Sequence, residues 1–404
     1  MLNPVSPLSV RSQYISYMKP LLSSLNRPHI YKLLSLCLAI TLLIGCASPT
    51  PETPPPSTAS SWPVSTPEEQ GMDSEPLAQM LAQIEQENYK IDSVLVIRNG
   101  YLVLDVYVHP FRPGDTHNLY SVTKSVVSAL IGIAIEQGYI ESLDQHVLDF
   151  FTDREVKNLD DDKAGMTLEH LLTMTSGLEC RDSYLYNNRG LEEMHKTDDW
   201  IQYVLDLPME MPPGTKFEYC NGASMLLSAI LQEATGMSTL EYAQEYLFGP
   251  LGIRDVQWDD SPNGITVGYS RLYMHPQDMA KIGYLYLKKG RWNGEQVVPA
   301  EWVAVSTRTQ VPAGTLQEGY GYHWWVAPPQ MFLALGYGGQ FVFVIPEKDM
   351  VVVFTSSLEG RDFYVPQELL DDYILPAVIS SQPLPENSDG DALLMSVTEE
   401  LAAP

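Results

Sequence analysis

The chain has 404 residues, 45% of them hydrophobic, enough to bury the core of one large domain or two small ones. With 24 basic and 51 acidic side chains its formal charge is −27, a surface that repels phosphate backbones and argues against nucleic acid as a partner.

The first 46 residues carry Arg11, Lys19, Arg27 and Lys32 and no acid, and the run Leu33 to Gly45 is apolar. At 13 residues the run is too short to span a bilayer but suits the core of an export signal, with Met1 or Met18 as its start. The run ends Leu43-Ile44-Gly45-Cys46, which resembles a bacterial lipoprotein box and makes Cys46 the candidate lipidated residue, anchoring the chain to a membrane outside the cytoplasm. An ordinary signal with an incidental cysteine is the other reading. Residues 47–64 form a Pro/Ser/Thr-rich linker, an extended tether of roughly 50 Å at about 3.1 Å per residue.

A helix is expected from Ser74, with Leu77, Met80, Leu81 and Ile84 on one face. The runs Val94–Arg98 and Tyr101–Val108 flank Asn99-Gly100, a hairpin signal. A nearly all-apolar helix opens at Ser121 and ends at Gly138. From about 140 to 305 the pattern is mostly helical, with candidate helices at Leu168–Thr173, Trp200–Asp206, Gly222–Thr235, Thr239–Phe248 and Pro276–Lys289. Strands return at Gly321–Val326, Phe332–Leu335, Phe341–Ile345 and Val351–Thr355, and a helix over Pro366–Ile379 precedes an acidic tail. The fold class expected is α/β: an antiparallel sheet built from both chain ends, flanked by helices, beside a mostly helical middle.

Ser121-Val122-Thr123-Lys124 places a serine and a lysine on one face at the head of a buried helix. A serine hydroxyl needs a base to become a nucleophile, and a desolvated lysine is one. The tetrapeptide also occurs at Ser16-Tyr17-Met18-Lys19 in the leader, so its surroundings must carry the argument. Tyr219-Cys220-Asn221, after a Pro-Gly turn and before an apolar helix, offers a phenol to move protons and an amide to orient Lys124. A rival Tyr186-Asn187-Asn188 has no helix behind it. Gly336-Tyr337-Gly338-Gly339-Gln340 lies between strands, where glycines let backbone approach a ligand and the Gln340 and Ser121 amides can form an oxyanion hole. Cys180 and Cys220 fit two arrangements, a disulfide beside the Tyr219 motif or two separately buried thiols. They have no neighbouring Cys or His at ligand spacing, Asp160-Asp161-Asp162 lacks the pattern of a calcium loop, and His117, His170, His275 and His323 form no ligand set. The pattern therefore calls for no metal and no cofactor. The Tyr320–Trp325 aromatics read as a strand packing on the core, with Trp324 or Trp325 reaching the cleft as the alternative.

These motifs, with Met166–Leu178, Leu247–Ile253, Asp278–Gly283 and Arg291–Gly294 between them, resemble in order the serine β-lactamase-like hydrolases. That family embraces class C β-lactamases, penicillin-binding proteins, family VIII esterases and 6-aminohexanoate-dimer hydrolases. The resemblance implies an acyl-enzyme formed on Ser121, with Lys124 and Tyr219 managing protons and Asn221, Tyr337, Gly339 and Gln340 around the substrate. It also implies a hydrolase domain over 65–381 and leaves 382–404 as a disordered tail. One departure matters: where penicillin-recognising members usually carry a cation, this chain has Tyr337. A small ester or amide substrate is therefore expected, with a penicillin-interactive enzyme, or a non-catalytic cell-wall-binding lipoprotein, as alternatives.

Overall fold

The computed structural model of the chain describes residues 62–182, 188–314, 317–327 and 331–404. Asn99 and Gly100 take φ of +51° and +83°, the two left-handed positions that a type I′ turn needs, and fold Ile91–Arg98 (β1) back on Tyr101–Tyr107 (β2). Six more strands complete an antiparallel sheet: Val311–Pro312 (β3), Gly319–Tyr320 (β4), Trp325–Ala327 (β5), Met331–Gly336 (β6), Gln340–Ile345 (β7) and Met350–Ser356 (β8). Their spatial order is β2-β1-β8-β7-β6-β5-β4-β3. The two ends of the domain meet where β1 pairs with β8, with Val94 opposite Phe354 and Val96 opposite Val352. The expected shared sheet is therefore present.

Every position of β1, β7 and β8 is buried, so both faces of the sheet are covered. The helices that position the site are, in chain order, Ser74–Gln86 (α1), Val122–Glu136 (α2), Leu168–Leu172 (α3), Arg189–Met194 (α4), Trp200–Leu205 (α5), Asn221–Thr235 (α6), Pro276–Leu287 (α7) and Ser388–Ala402 (α8). Helix α7 packs on β1, β7 and β8, with Val342 and Val351 against its Gly283. The other face presents Phe341, which packs on Phe363. Helix α2 is buried continuously from Val122 to Ala134, between β6 and β7 on one side and α6 on another. An all-round apolar helix is stable only in such a position.

Three expectations are corrected. The strand expected over Gly321–Val326 is interrupted, because His323 takes φ of +60° and turns its peptide away from the ladder. Its N–H donates to Leu172 O at 3.0 Å and its carbonyl accepts from Ser125 Oγ at 2.6 Å. The linker expected over 47–64 stops short of 62, since Trp62 is buried edge-on against Tyr284 and Trp292. The tail expected to be disordered over 382–404 contains α8, capped by Asn387, whose side chain accepts from the Gly390 N–H. Leu394, Val397 and Leu401, at helical spacing, are buried where α8 packs on α1 and β2. The acidic composition of this segment concealed that stripe. The leader, including Cys46 and the Ser16 tetrapeptide, lies outside the described residues. No helix among the described residues is long and apolar enough to cross a membrane.

A charge placed under α8 should cost stability. Val397→Asp is expected to lower the unfolding free energy by about 2 kcal/mol in urea titrations. An unchanged midpoint would show that α8 is not part of the cooperative unit.

Candidate active site

Ser121 stands at the N-terminus of α2, immediately after Tyr120, whose φ is +45°. That strained residue is held by Asn118, whose Oδ1 accepts the Tyr120 N–H at 2.9 Å. One turn into the helix, Lys124 is 1% exposed. Its Nζ lies 3.0 Å from Ser121 Oγ, 2.8 Å from Asn221 Oδ1 and 3.0 Å from the Tyr269 carbonyl. Burial pushes the Lys124 ammonium down to about 7, against the opposing pull of the Asp182 carboxylate. The three contacts are not equivalent. A carbonyl and an amide oxygen can only accept, so they fix two N–H bonds of the amine. In the neutral amine the remaining lone pair then points at the serine hydroxyl.

The segment from Pro213 leads into α6, and Tyr219 reaches the site from it half-buried. The Lys124 Nζ lies 4.8 Å from the centroid of its ring, which stacks on Trp325 at 6.2 Å with an interplanar angle of 15°. Trp324 instead lies in the core against Tyr286 and Phe332. Asn221 is the first residue of α6, and Cys220 before it is bonded to Cys180 across a Cα separation of 5.5 Å. Of the two arrangements open from the sequence, the structure has the disulfide.

The third motif is the turn between β6 and β7. Gly336 passes so close to the head of α2 that a Cβ there would stand 2.4 Å from the Leu119 carbonyl and 3.2 Å from the Ser121 nitrogen. Gly339 has φ of +86°, and a Cβ on it would stand 2.3 Å from Ser356 Oγ. That hydroxyl lies 2.9 and 2.6 Å from the Gly338 and Gly339 carbonyls and braces the turn by donating to them. The buried Gln340 side chain is also a brace, donating to the Ser356 carbonyl. Its Oε1 is buried without a hydrogen-bond partner. Tyr337 is 52% exposed and meets Tyr120 edge-on at 5.5 Å, so two phenols form this rim of the site.

Sequence reasoning missed Asp182 and Tyr269. Asp182 is buried, and its Oδ2 accepts the Asn221 N–H at 2.6 Å. Tyr269 accepts from Lys124 with its backbone carbonyl, and its hydroxyl shares a 2.6 Å hydrogen bond with His195 Nε2. Neither belongs to a motif; each arrives on a loop. His170 Nδ1 accepts the Thr167 N–H as part of the cap of α3, and Asp160 caps Asp161–Ala164. His323 is buried beside Ser224 at 3.0 Å and pushed down to about 3, which keeps it a neutral strut. Among the described residues no group of three or more His, Cys, Asp or Glu is placed to hold a metal ion. Tyr186 and Asn187 of the rival motif lie outside the described residues.

The family model described as beta-lactamase matches residues 77–372. The 6-aminohexanoate-dimer hydrolase of Paenarthrobacter ureafaciens is 24% identical over 322 residues, covering 74% of this chain and 81% of that protein. Esterase EstB of Burkholderia gladioli is 27% identical over 156 residues, 36% of this chain and 39% of that protein. A Bacillus anthracis structure, provisionally named a 6-aminohexanoate-dimer hydrolase, superposes with a TM-score of 0.66 at 21% identity, covering 82% of this chain and 91% of that one.

The contact at Gly336 gives a test that needs no substrate. Gly336→Ala is expected to displace the turn from Ser121 and to slow fluorophosphonate labelling by about 100-fold, the worth of roughly one oxyanion donor. Labelling at the wild-type rate would show that the turn does not set the geometry at Ser121.

Proposed function

The chain belongs to the beta-lactamase family, and from that premise we propose that it is a serine hydrolase working through an acyl-enzyme on small, uncharged esters or amides. The observation that carries this reading is the Lys124 amine, its ammonium pushed by burial down to about 7, and clamped so that its free direction is Ser121 Oγ. In acylation Ser121 Oγ bonds to the substrate carbonyl carbon as its proton passes to Lys124 Nζ. The carbonyl oxygen becomes an oxyanion between the backbone N–H groups of Ser121 and Gln340. As the bond from the carbonyl carbon to the leaving oxygen or nitrogen breaks, Tyr219 gives its phenolic proton to that atom and recovers one from Lys124, so the leaving group departs protonated and the serine proton ends on Tyr219. Water reverses the sequence: its proton travels through Tyr219 and Lys124 back to Ser121 Oγ, and the acyl group departs as the acid.

The preference for an uncharged substrate rests on Tyr337 and Tyr120, phenols at a rim where a carboxylate would seek a cation. The stacked Tyr219 and Trp325 add an apolar wall. Likeness to an amide-dimer hydrolase and an esterase supports an amide or ester substrate. The proposal extends to location: removal of the leader, lipid attachment at Cys46 and an extracytoplasmic site. The Cys180–Cys220 disulfide supports an oxidising compartment.

Lys124 must be neutral to take a proton, so kcat/KM for a p-nitrophenyl ester should rise with pH through about 7 and flatten above it. Lys124→Ala should lower kcat by about 10²–10⁴-fold, and Ser121→Ala should abolish turnover. Full activity in Ser121→Ala, or no hydrolysis of any neutral ester or anilide by folded protein, refutes the reading. Rapid turnover of nitrocefin with poor ester hydrolysis replaces it with a penicillin-interactive enzyme. Tyr337→Lys should favour substrates bearing a carboxylate by about fivefold, since an exposed ion pair is worth about 1 kcal/mol; an unchanged ratio would place Tyr337 outside the substrate's reach.

A further inference from the structure

Asp182 is a carboxylate 7% exposed, and burying an unpaired charge costs several kcal/mol. Burial pushes its carboxyl up to about 6, and the Asn221 N–H and the Lys124 amine pull the other way, so the charge is present at neutral pH. Asn221 is the first residue of α6, and its N–H has no partner within the helix; Asp182 Oδ2 accepts it at 2.6 Å. The positive end of the α6 dipole favours a negative charge in that place. Two residues back, Cys180 is bonded to Cys220, the neighbour of Asn221, so the disulfide brings both ends of the Asp182–Asn221 contact together. On the other side Gly190, in α4, presses so close that a Cβ would meet the Cys180 carbonyl at 1.6 Å and Asp182 Oδ1 at 2.8 Å. The carboxylate is boxed between a covalent bond and a glycine.

Asn221 is also the residue whose Oδ1 accepts from Lys124 Nζ at 2.8 Å. We infer that Asp182 is a positioning residue for the reaction: braced by the Cys180–Cys220 disulfide, its carboxylate orients Asn221 and through it the Lys124 amine, and presents a negative charge to that amine. The inference rests on the acyl-transfer reading above and deepens it. A simple helix cap would need only the first of these contacts. The groups facing Asp182 are Lys124 from α2, Tyr203 from α5 and Tyr269 from the loop after 268. On its own loop Arg181 is paired with Glu179, and Glu193 of α4 is paired with Arg189. Lys124 therefore faces Asp182 across Asn221, while these other charges are engaged elsewhere.

The sign of the effect follows. The Asp182 charge draws Lys124 towards its protonated form, in which it cannot take the serine proton. Asp182→Asn removes the charge and keeps an acceptor for the Asn221 N–H; Asp182→Ala removes both. Rates are normalised to active sites counted with a fluorophosphonate, so that unfolded protein does not contribute. Asp182→Asn is expected to move the acid limb of kcat/KM down by about half a pH unit or more, with the plateau kcat within about tenfold of wild type. Asp182→Ala should lower kcat by about 10–100-fold with KM little changed. The Asp182→Ala/Asn221→Ala double variant should be no slower than Asn221→Ala alone, because the first residue acts through the second. If Asp182→Asn fails to fold, Cys180→Ser with Cys220→Ser provides the same reading, lowering kcat and moving the limb in the same direction. An acid limb left at its wild-type position in these variants, or additive losses in the double variant, overturns the inference and leaves the hydrolase reading standing. Absence of labelling and turnover in the wild type overturns both.

Discussion

The structure turns on the burial of one amine. An ammonium removed from water is unstable unless its N–H groups find acceptors, and Lys124 finds two oxygens that can only accept and one hydroxyl that can also donate. Lys163, also buried, shows what the other outcome looks like. Its Nζ donates to three backbone carbonyls, of Lys157, Leu205 and Leu207, and nothing is left over for chemistry. Lys163 is thus held as a strut, whereas the third contact of Lys124 is the hydroxyl that the proposed mechanism deprotonates.

Much of the fold can be read as provision for that third partner. The apolar α2 has to be enclosed by sheet and α6, and its enclosure is what desolvates Lys124. The sheet delivers the β6–β7 turn against the helix head, where the absence of a side chain at Gly336 allows contact with the Ser121 backbone. The disulfide ties the start of α6 to the loop carrying Asp182, so Asn221 meets Lys124 from a fixed direction.

What the sequence disclosed follows from range. Ser121 and Lys124 are three residues apart on one helix, and helix periodicity alone makes them neighbours. The Asn99-Gly100 turn announced its hairpin for the same local reason, and the order of hairpin, helical middle and late strands placed both chain ends in one sheet. Asp182 and Tyr269 escaped because each contacts the site across a loop with no periodic signal, 39 residues from Asn221 and 145 from Lys124. The cysteine pairing stayed open because only the fold brings residues 40 apart to a Cα separation of 5.5 Å. The kink at His323 was hidden because its cause, hydrogen bonds to Leu172 and Ser125, is tertiary. Helix α8 was hidden by composition, its stripe of Leu394, Val397 and Leu401 set among acids.

The central claim is covalent: an acyl group passes through Ser121. Rapid-quench mass spectrometry of the protein mixed with a p-nitrophenyl ester tests it directly. Acyl transfer through Ser121 predicts a transient mass increase equal to the acyl group, located on the peptide containing Ser121 and lost in Ser121→Ala. Steady turnover with no adduct at any quench time, or the same adduct in Ser121→Ala, would contradict it.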